Sequence, residues 1–221
     1  MNAYQTRGAM IVTIGTTKGG AGKSTLATNA AIGRTIAGRR VWLIDGDRQA
    51  TSKLVMQARA QAGHLPLVPF DHLPEGADLH ARVNAEARAF DDVVIDAGGR
   101  DSSALRAALL VSDVLLIPTA PRALDFWALD DMAPLIAEAR KLNPVLRVCV
   151  ALNCADTTGG DNQAAAEALA ARTDMEYLPT PVTRRKSIAG ASAQGLSVLE
   201  LKPKDKKAIA EMQALIAGVF K

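Results

Sequence analysis

The sequence predicts an α/β chain: a mostly parallel, twisted sheet with helices on both faces. Three observations carry that prediction. Short apolar runs of strand length alternate with helix-patterned segments along the chain, the order in which a buried parallel sheet is wound. The first apolar run, Met10-Ile11-Val12-Thr13-Ile14, leads through a glycine-rich turn into a helix pattern. Two further apolar runs close on an acid, Asp45 and Asp96, at the carboxyl strand ends where such sheets collect ligand chemistry.

Residues 1–9 are polar and read as a disordered N-terminal extension, with 10–221 as a single domain. After the first strand, Leu26 to Ala37 is helix-patterned, and Gly38 is placed to cap its C-terminus. Val41 to Ile44 is a second buried strand and Ala50 to Ala62 a helix. Leu65 to Phe70 reads as a short strand interrupted by Pro66 and Pro69. Ala77 to Ala89 is a rather polar helix, and Val93 to Asp96 a third buried strand. Ser102 to Leu110 is helical, and Val114 to Pro118 a fourth strand. Leu124 to Leu142 is a long helix stopped by Asn143-Pro144. Leu146 to Leu152 is a fifth strand, Asn162 to Arg172 an alanine-rich helix, and Tyr177 to Val182 a sixth strand. Arg184 and Arg185 open a basic helix, and Pro203 to Phe220 closes the chain.

Aliphatic residues must build the core, because the chain is 48% hydrophobic but only 4% aromatic. A net charge of +3 permits contact with nucleic acid without demanding it. Cys149 and Cys154 lie in a strand-like run without CxxC spacing, which reads as free thiols in a reducing cytoplasm. His64, His72 and His80 are scattered over a polar stretch and read as surface residues, not a metal site. No signal peptide or membrane span is expected; the longest apolar region, Ala107 to Ile117, is broken by Ser112 and Asp113.

The chemistry concentrates in KGGAGKST: Lys18, Gly19, Gly20, Ala21, Gly22, Lys23, Ser24 and Thr25. The glycines remove side chains so that backbone N–H groups can turn toward an anion. The following helix adds its free N–H groups and the positive end of its dipole. Lys23 supplies a point charge for β/γ-phosphates and Ser24 a hydroxyl for Mg²⁺. The plain P-loop pattern wants a glycine at position 17, where this chain has Thr17, and here a lysine precedes the glycine pair instead. Asp96, ending an apolar strand, is placed as an acid that holds Mg²⁺. Capping of the following turn is the plainer part that Asp45, Asp47 and Asp96 could play.

With Lys18 beside its glycine pair, KGGxGK[ST] resembles the deviant Walker A motif of the ParA/MinD family of ATPases. The resemblance implies ATP and ADP as nucleotides, Mg²⁺ as the metal, and an ATP-dependent homodimer in which Lys18 reaches the partner subunit's nucleotide. It gives catalytic parts to Lys18, Lys23 and Asp47. DGDRQ, Asp45 to Gln49, resembles the family's DxDxQ segment, in which Asp47 corresponds to the residue orienting the attacking water and Asp45 lies near the metal held by Ser24 and Asp96. Asn153 matches an asparagine that reads adenine in several relatives, and Thr180, Pro181 and Val182 match the stretch flanking the base. Ile95 to Ser102 stands in the place of the nucleotide-sensing segment, with Ala97-Gly98-Gly99 replacing the commoner Thr-Pro-Pro. Pro118 to Met132 and Thr183 to Glu200 are similar to small plasmid partition ATPases of the ParF kind.

That branch implies partition of plasmid DNA by a cytoplasmic, nucleoid-associated protein. The ATP dimer binds duplex DNA nonspecifically, and a ParB-like or small centromere-binding partner stimulates hydrolysis. Arg184, Arg185 and Lys186 are the expected DNA contacts, with Lys202, Lys204, Lys206 and Lys207 nearby in sequence. Two other readings share the motif: positioning of a non-DNA cargo, and a membrane-surface regulator like MinD. The cue for the last is the stripe Ile209, Met212, Leu215, Ile216, Val219 and Phe220, which suits better a helix packed on the core, and stable membrane association is not expected.

Overall fold

A computed structural model describes residues 8–157 and 160–221 of the chain. Residues 1–7 of the expected N-terminal extension lie outside the described residues. Seven strands form one sheet: β1 (Met10–Ile14), β2 (Val41–Asp45), β3 (Phe70–His72), β4 (Asp92–Asp96), β5 (Val114–Thr119), β6 (Arg147–Ala155) and β7 (Glu176–Thr183). Their order is β3-β2-β4-β1-β5-β6-β7, and every pairing is parallel. Among the described residues eight α-helices accompany them: α1 (Lys23–Ile36), α2 (Thr51–Gln61), α3 (Gly76–Glu86), α4 (Ser103–Val111), α5 (Ala123–Leu142), α6 (Asp161–Ala170), α7 (Lys186–Ala193) and α8 (Lys206–Val219).

Alternation along the strands divides the core between two faces. Val12, Ile14, Leu43, Val94 and Leu116 point to one face, where they pack against α1, α7 and α8 through Leu26, Ile32, Ile188, Met212 and Leu215. Trp42, Ile44, Val93 and Ile95 point the other way, against Leu79 and Val83 of α3 and the alanines of α4. Leu115, Ile117, Val148 and Val150 extend that second face toward α5 and α6. The carboxyl ends of β1, β2 and β4 meet at one edge, since Ile14 and Asp45 are both register partners of Asp96. Connections leave β1 for one side of the sheet and leave β4 for the other, which opens a crevice at that edge.

Local chemistry explains several boundaries. Gly38, at φ 84°, ends α1 in a left-handed turn, with Gly38 N–H donating to Thr35 O (3.0 Å) and Arg39 N–H to Arg34 O (3.1 Å). Asp205 caps α8 by accepting the Ala208 N–H at 3.1 Å. The third strand begins at Phe70, later than the sequence suggested, because Pro66 and Pro69 have no N–H to give the ladder; Pro69 contributes only its carbonyl, to Leu43 N–H at 3.0 Å. Strand β6 runs three residues further than expected, to Ala155, through register shifts against β7. The basic helix opens at Lys186, so Arg184 and Arg185 stand ahead of it instead of opening it. The terminal stripe lies inside the molecule: Met212, Leu215 and Val219 are buried, with Ile216 and Phe220 packed against them.

Two polar ties fix the C-terminal third to the first helices. Buried Asn29 on α1 donates to Thr25 O and accepts from Ser197 Oγ and Val198 N–H, each at 2.8 Å. Arg59 on α2 is 1% exposed; it forks onto Glu200 at 2.9 and 3.0 Å and donates to Pro66 O and Gly195 O. Gly195, at φ 71°, lies so close to the Arg59 backbone that a Cβ there would collide with it. Truncating Arg59 leaves Glu200 and two carbonyls without their partner. Arg59→Ala is therefore expected to lose roughly 3–5 kcal/mol of unfolding free energy. Urea unfolding of both chains at one pH checks this, and a loss below about 1 kcal/mol, the value of a surface pair, contradicts it.

Candidate active site

The loop between β1 and α1 reaches the crevice with Gly20 at φ 75° and Gly22 at φ 83°. Gly22 is the residue before α1, and a Cβ on it would collide with the amide of Asn153. That amide, buried at the end of β6, donates from Nδ2 to Ala21 O at 2.7 Å. Asn153 thus braces the loop from beneath. Lys23 is buried and donates from Nζ to Lys18 O at 2.9 Å. Burial pulls its pKa below the usual lysine range, against the opposing pull of Asp96 and Asp47.

Lys18 behaves differently. Its side chain is 34% exposed, and its Nζ lies 2.8 Å from Oδ2 of Asp125, in the first turn of α5. The two lysines of one motif therefore occupy separate environments, one inside the loop and one at its rim.

The acids converge as the sequence suggested. Asp96 has no exposed surface; its Oδ2 accepts the Ser52 hydroxyl at 2.6 Å, and its Oδ1 is buried without a hydrogen-bond partner among the described residues. Burial pushes its carboxyl up to about 7, opposed by the Ser52 and Ser24 hydroxyls and by Lys23, and assisted by the charge of Asp45. Asp45 is also shifted upward by burial, although the N–H groups of Lys53 and Asp47 donate to its carboxylate at 2.8 and 3.0 Å. Asp47 accepts the Gln49 N–H on Oδ1 at 3.0 Å, and its carbonyl pairs with Nε2 of His72 at 2.9 Å. An orphaned buried carboxylate oxygen next to a serine hydroxyl fits a hard cation that keeps several waters. Among the described residues no group of three or more His, Cys, Asp or Glu could hold a metal alone, so phosphate oxygens and waters would have to complete the coordination.

A cleft of about 980 Å³ joins these parts, lined by the loop, by Asp47 to Gln49 and by Gly98 to Ser103. That is room for a nucleotide. Gly98 and Gly99 explain their own presence. A Cβ on Gly99 would stand 3.0 Å from Lys23 Nζ and 3.2 Å from Lys18 O, and one on Gly98 3.4 Å from Asp47 Cγ. Glycine lets the segment after β4 lie directly on the phosphate loop.

Asn153, Thr180, Pro181 and Val182, expected around the base, do not line this cleft. Asn153 is turned to the loop; Val182 is core, Pro181 is exposed, and Thr180 buries an unpartnered Oγ1. Among the expected DNA contacts, Arg184 and Lys186 are exposed, but Arg185 is spent on Glu211 at 2.7 Å, so its guanidinium is a strut and not a free contact. Ser52, His72 and Asp125 belong to the site although no sequence signal marked them, because each acts through a tertiary contact.

Asp96 makes the ligand-free protein pH-sensitive. Its folded pKa exceeds the usual value, so its charged form destabilises the ligand-free fold as pH rises from about 4 through about 7. Asp96→Asn should therefore melt higher than the natural chain at pH 8, by up to a few kcal/mol at about 1.4 kcal/mol per pKa unit. The advantage should shrink as pH falls below about 7 and vanish below about pH 4, where Asp96 is protonated in the folded and the unfolded chain alike. Melting curves of both chains without nucleotide, across that range, are the test; an asparagine chain that is less stable at pH 8 refutes it.

The chain matches the family model described as "ATPase MipZ" over residues 10–144. It is 30% identical over 216 residues to maintenance of carboxysome distribution protein A of Halothiobacillus neapolitanus, covering 96% of this chain and 97% of that one. In structure it resembles a plasmid partition protein from Borrelia burgdorferi (TM-score 0.70, 19% identical, 96% of this chain and 97% of that chain). It also resembles the septum site-determining protein MinD from Pyrococcus horikoshii, solved with Mg-ADP (TM-score 0.74, 19% identical, 95% of each chain). With a family model over more than half of its length and a 30% identical relative along nearly all of it, the chain belongs to the MipZ family of ParA/MinD-type positioning ATPases.

Proposed function

We propose that this ATPase distributes a large cellular cargo over nucleoid DNA, cycling between an ATP-bound dimer that holds DNA and a released form. The observation that carries the reading is the separation of the two lysines. Lys23 is buried in its own loop, while Lys18 stands at the rim of the cleft, paired with Asp125. A lysine so placed can leave Asp125 and reach a phosphate in a facing subunit.

Within one site, Lys23 and the loop N–H groups offset the β/γ-phosphate charge. Ser24 and Asp96 are the residues that would hold Mg²⁺, with Asp45 behind them; the ion supplies further neutralisation of the phosphates. Asp47 lines the cleft, and its loop is fixed by Asp45 and His72, which suits it to orient the attacking water. Asn153 sets the loop's shape through its bond to Ala21 O.

The DNA side of the cycle rests on a second convergence. Ser187 at the start of α7 donates to Asp205, the cap of α8, at 2.7 Å. Arg185 and Thr183 both bind Glu211 of α8. These ties bring exposed Arg184 and Lys186 beside exposed Lys202, Lys204, Lys206 and Lys207. Without aromatic side chains among them, such residues suit phosphate contact without base reading. Two copies in a dimer double the patch. The buried stripe of α8 removes the cue for a membrane-surface role. For cargo, the relative of matching length maintains carboxysome distribution, which supports a protein compartment as readily as the plasmid suggested by the sequence. A ParB-like or other small partner that stimulates hydrolysis fits either.

Lys18→Ala should bind fluorescent ADP as the natural chain does, yet stay monomeric with ATP and Mg²⁺ and lose at least tenfold in turnover. Light scattering and phosphate release read both; undiminished turnover rules out action across a dimer. For DNA, binding should need ATP, ignore sequence, and fall steeply with salt. Replacing Lys206 and Lys207 with Ala should flatten the slope of log K against log salt by about 0.9 for each phosphate no longer neutralised. A salt series of mobility shifts with ATP, ADP and no nucleotide tests it, and equal binding in the three states sinks the proposed switch.

A further inference from the structure

We propose that Ser52 is a positioning residue for the metal end of the site, latching the loop that carries Asp47 onto Asp96. The inference rests on the reading of Asp96 as a magnesium-side acid.

The loop from Asp45 to Ser52 is fastened to Asp96 at both ends. Gly46 N–H donates to Asp96 O at 2.8 Å, and Ser52 Oγ donates to Asp96 Oδ2 at 2.6 Å. Both Ser52 and Asp96 have no exposed surface, so water cannot replace the hydroxyl. Asp45, the register partner of Asp96, closes the same loop internally by accepting from Asp47 and Lys53 N–H. The loop needs holding. Ala50, just before α2, sits at φ 54°, a left-handed conformation that costs a residue with a Cβ of order 1–3 kcal/mol.

Ser52 thereby does two things. It occupies Oδ2 of Asp96, which leaves Oδ1, the oxygen without a protein partner, as the one available to a cation. It also makes the first turn of α2 follow any movement of that carboxylate, and with it the water-orienting Asp47. Hydrogen-bond partners behind a metal-side carboxylate commonly change metal affinity by about 10–100-fold when removed.

The test uses the full chain, Mn²⁺ as probe and ADP as nucleotide. Free Mn²⁺ is followed by its paramagnetic resonance signal, and fluorescent ADP is titrated separately in EDTA. Ser52→Ala should weaken Mn²⁺ binding to the ADP complex about tenfold while ADP affinity without metal stays unchanged. Ser52→Thr, which keeps the hydroxyl, should bind Mn²⁺ like the natural chain. Natural affinity in Ser52→Ala overturns the proposal, as does equal loss in the alanine and threonine variants, which would assign the effect to packing. Asp96→Asn runs in parallel. Weakened Mn²⁺ binding there beside natural binding in Ser52→Ala overturns the latch alone; natural binding in Asp96→Asn overturns the metal reading and the latch with it. If the alanine chain does not fold, Ser52→Cys replaces it, with the donor weakened and the volume nearly kept: weaker Mn²⁺ binding supports the latch and unchanged binding overturns it.

Discussion

A carboxylate buried without a counter-ion in direct contact constrains the centre of this molecule. Asp96 closes β4, one strand from the phosphate loop and one from Asp45, and it has no exposed surface. A charge taken out of water at that cost persists only where neighbours compensate it or a ligand will. The compensation here is partial: one hydroxyl bond from Ser52, a nearby Ser24 hydroxyl, the charge of Lys23, and an unpartnered oxygen. Lys23 suffers the mirror problem, a cation whose pKa burial depresses. Each half-solved charge offsets some of the other's cost. What completes both is a polyanion with its cation, so the ligand-free site stores its demand for nucleotide as unpaired polarity.

Around that centre the fold holds the phosphate loop from several directions. Asn153 supports it from β6, the Gly98-Gly99 segment lies on it from β4, and Asn29 ties the helix behind it to the Ser197 turn. From that turn the chain runs to Glu200, held by Arg59, and on to α8, whose cap Asp205 receives Ser187. Two sets of polar contacts, joined by the chain from Glu200 to Asp205, therefore connect the loop to the basic surface shared by α7 and α8. Each contact is short and buried or half-buried, the kind of network that has few intermediate arrangements.

The fold was legible because its determinants are local. A parallel sheet buried on both faces writes continuous apolar runs, and six of the seven expected strands and their helices stand where those runs do. The loop and its acids were legible for a similar reason: glycine spacing and strand-terminal acids are sequence-local requirements of phosphate and metal chemistry. What the sequence left unread has the opposite character. The strand expected over Leu65 to Phe70 was placed too early because its apolar residues outvoted two prolines that cannot join a ladder. Asn153 was read from its position after a strand, but its amide answers to a glycine loop that is remote in sequence. Arg185 was counted by charge, and only the packing of α8 reveals Glu211 beside it. Ser52, a serine in an ordinary helix start, acquires meaning only from a carboxylate on another strand.

The pair formed by Lys18 and Asp125 shows how a contact can be strong in geometry and still easy to exchange. At 2.8 Å it is well made, but Lys18 is a third exposed and water competes for its ammonium, which keeps the net value of such a pair near 1 kcal/mol or less. Asp125 is the more buried partner and would ordinarily be costly to leave alone. Its place in the first turn of α5 changes that, since the free N–H groups and the positive dipole end of the helix favour a carboxylate there by about 0.3–1 kcal/mol, and by up to about 2 where it is partly buried. Asp125 is thus provided for with or without Lys18. A lysine held by an acid that does not depend on it can be transferred to a phosphate at small cost to the subunit that supplies it. Lys23 has no such freedom, because its burial and its bond to Lys18 O fix it to its own loop. The two lysines differ in what each would leave behind, and that difference suits one to binding nucleotide within a subunit and the other to sensing nucleotide in a second one.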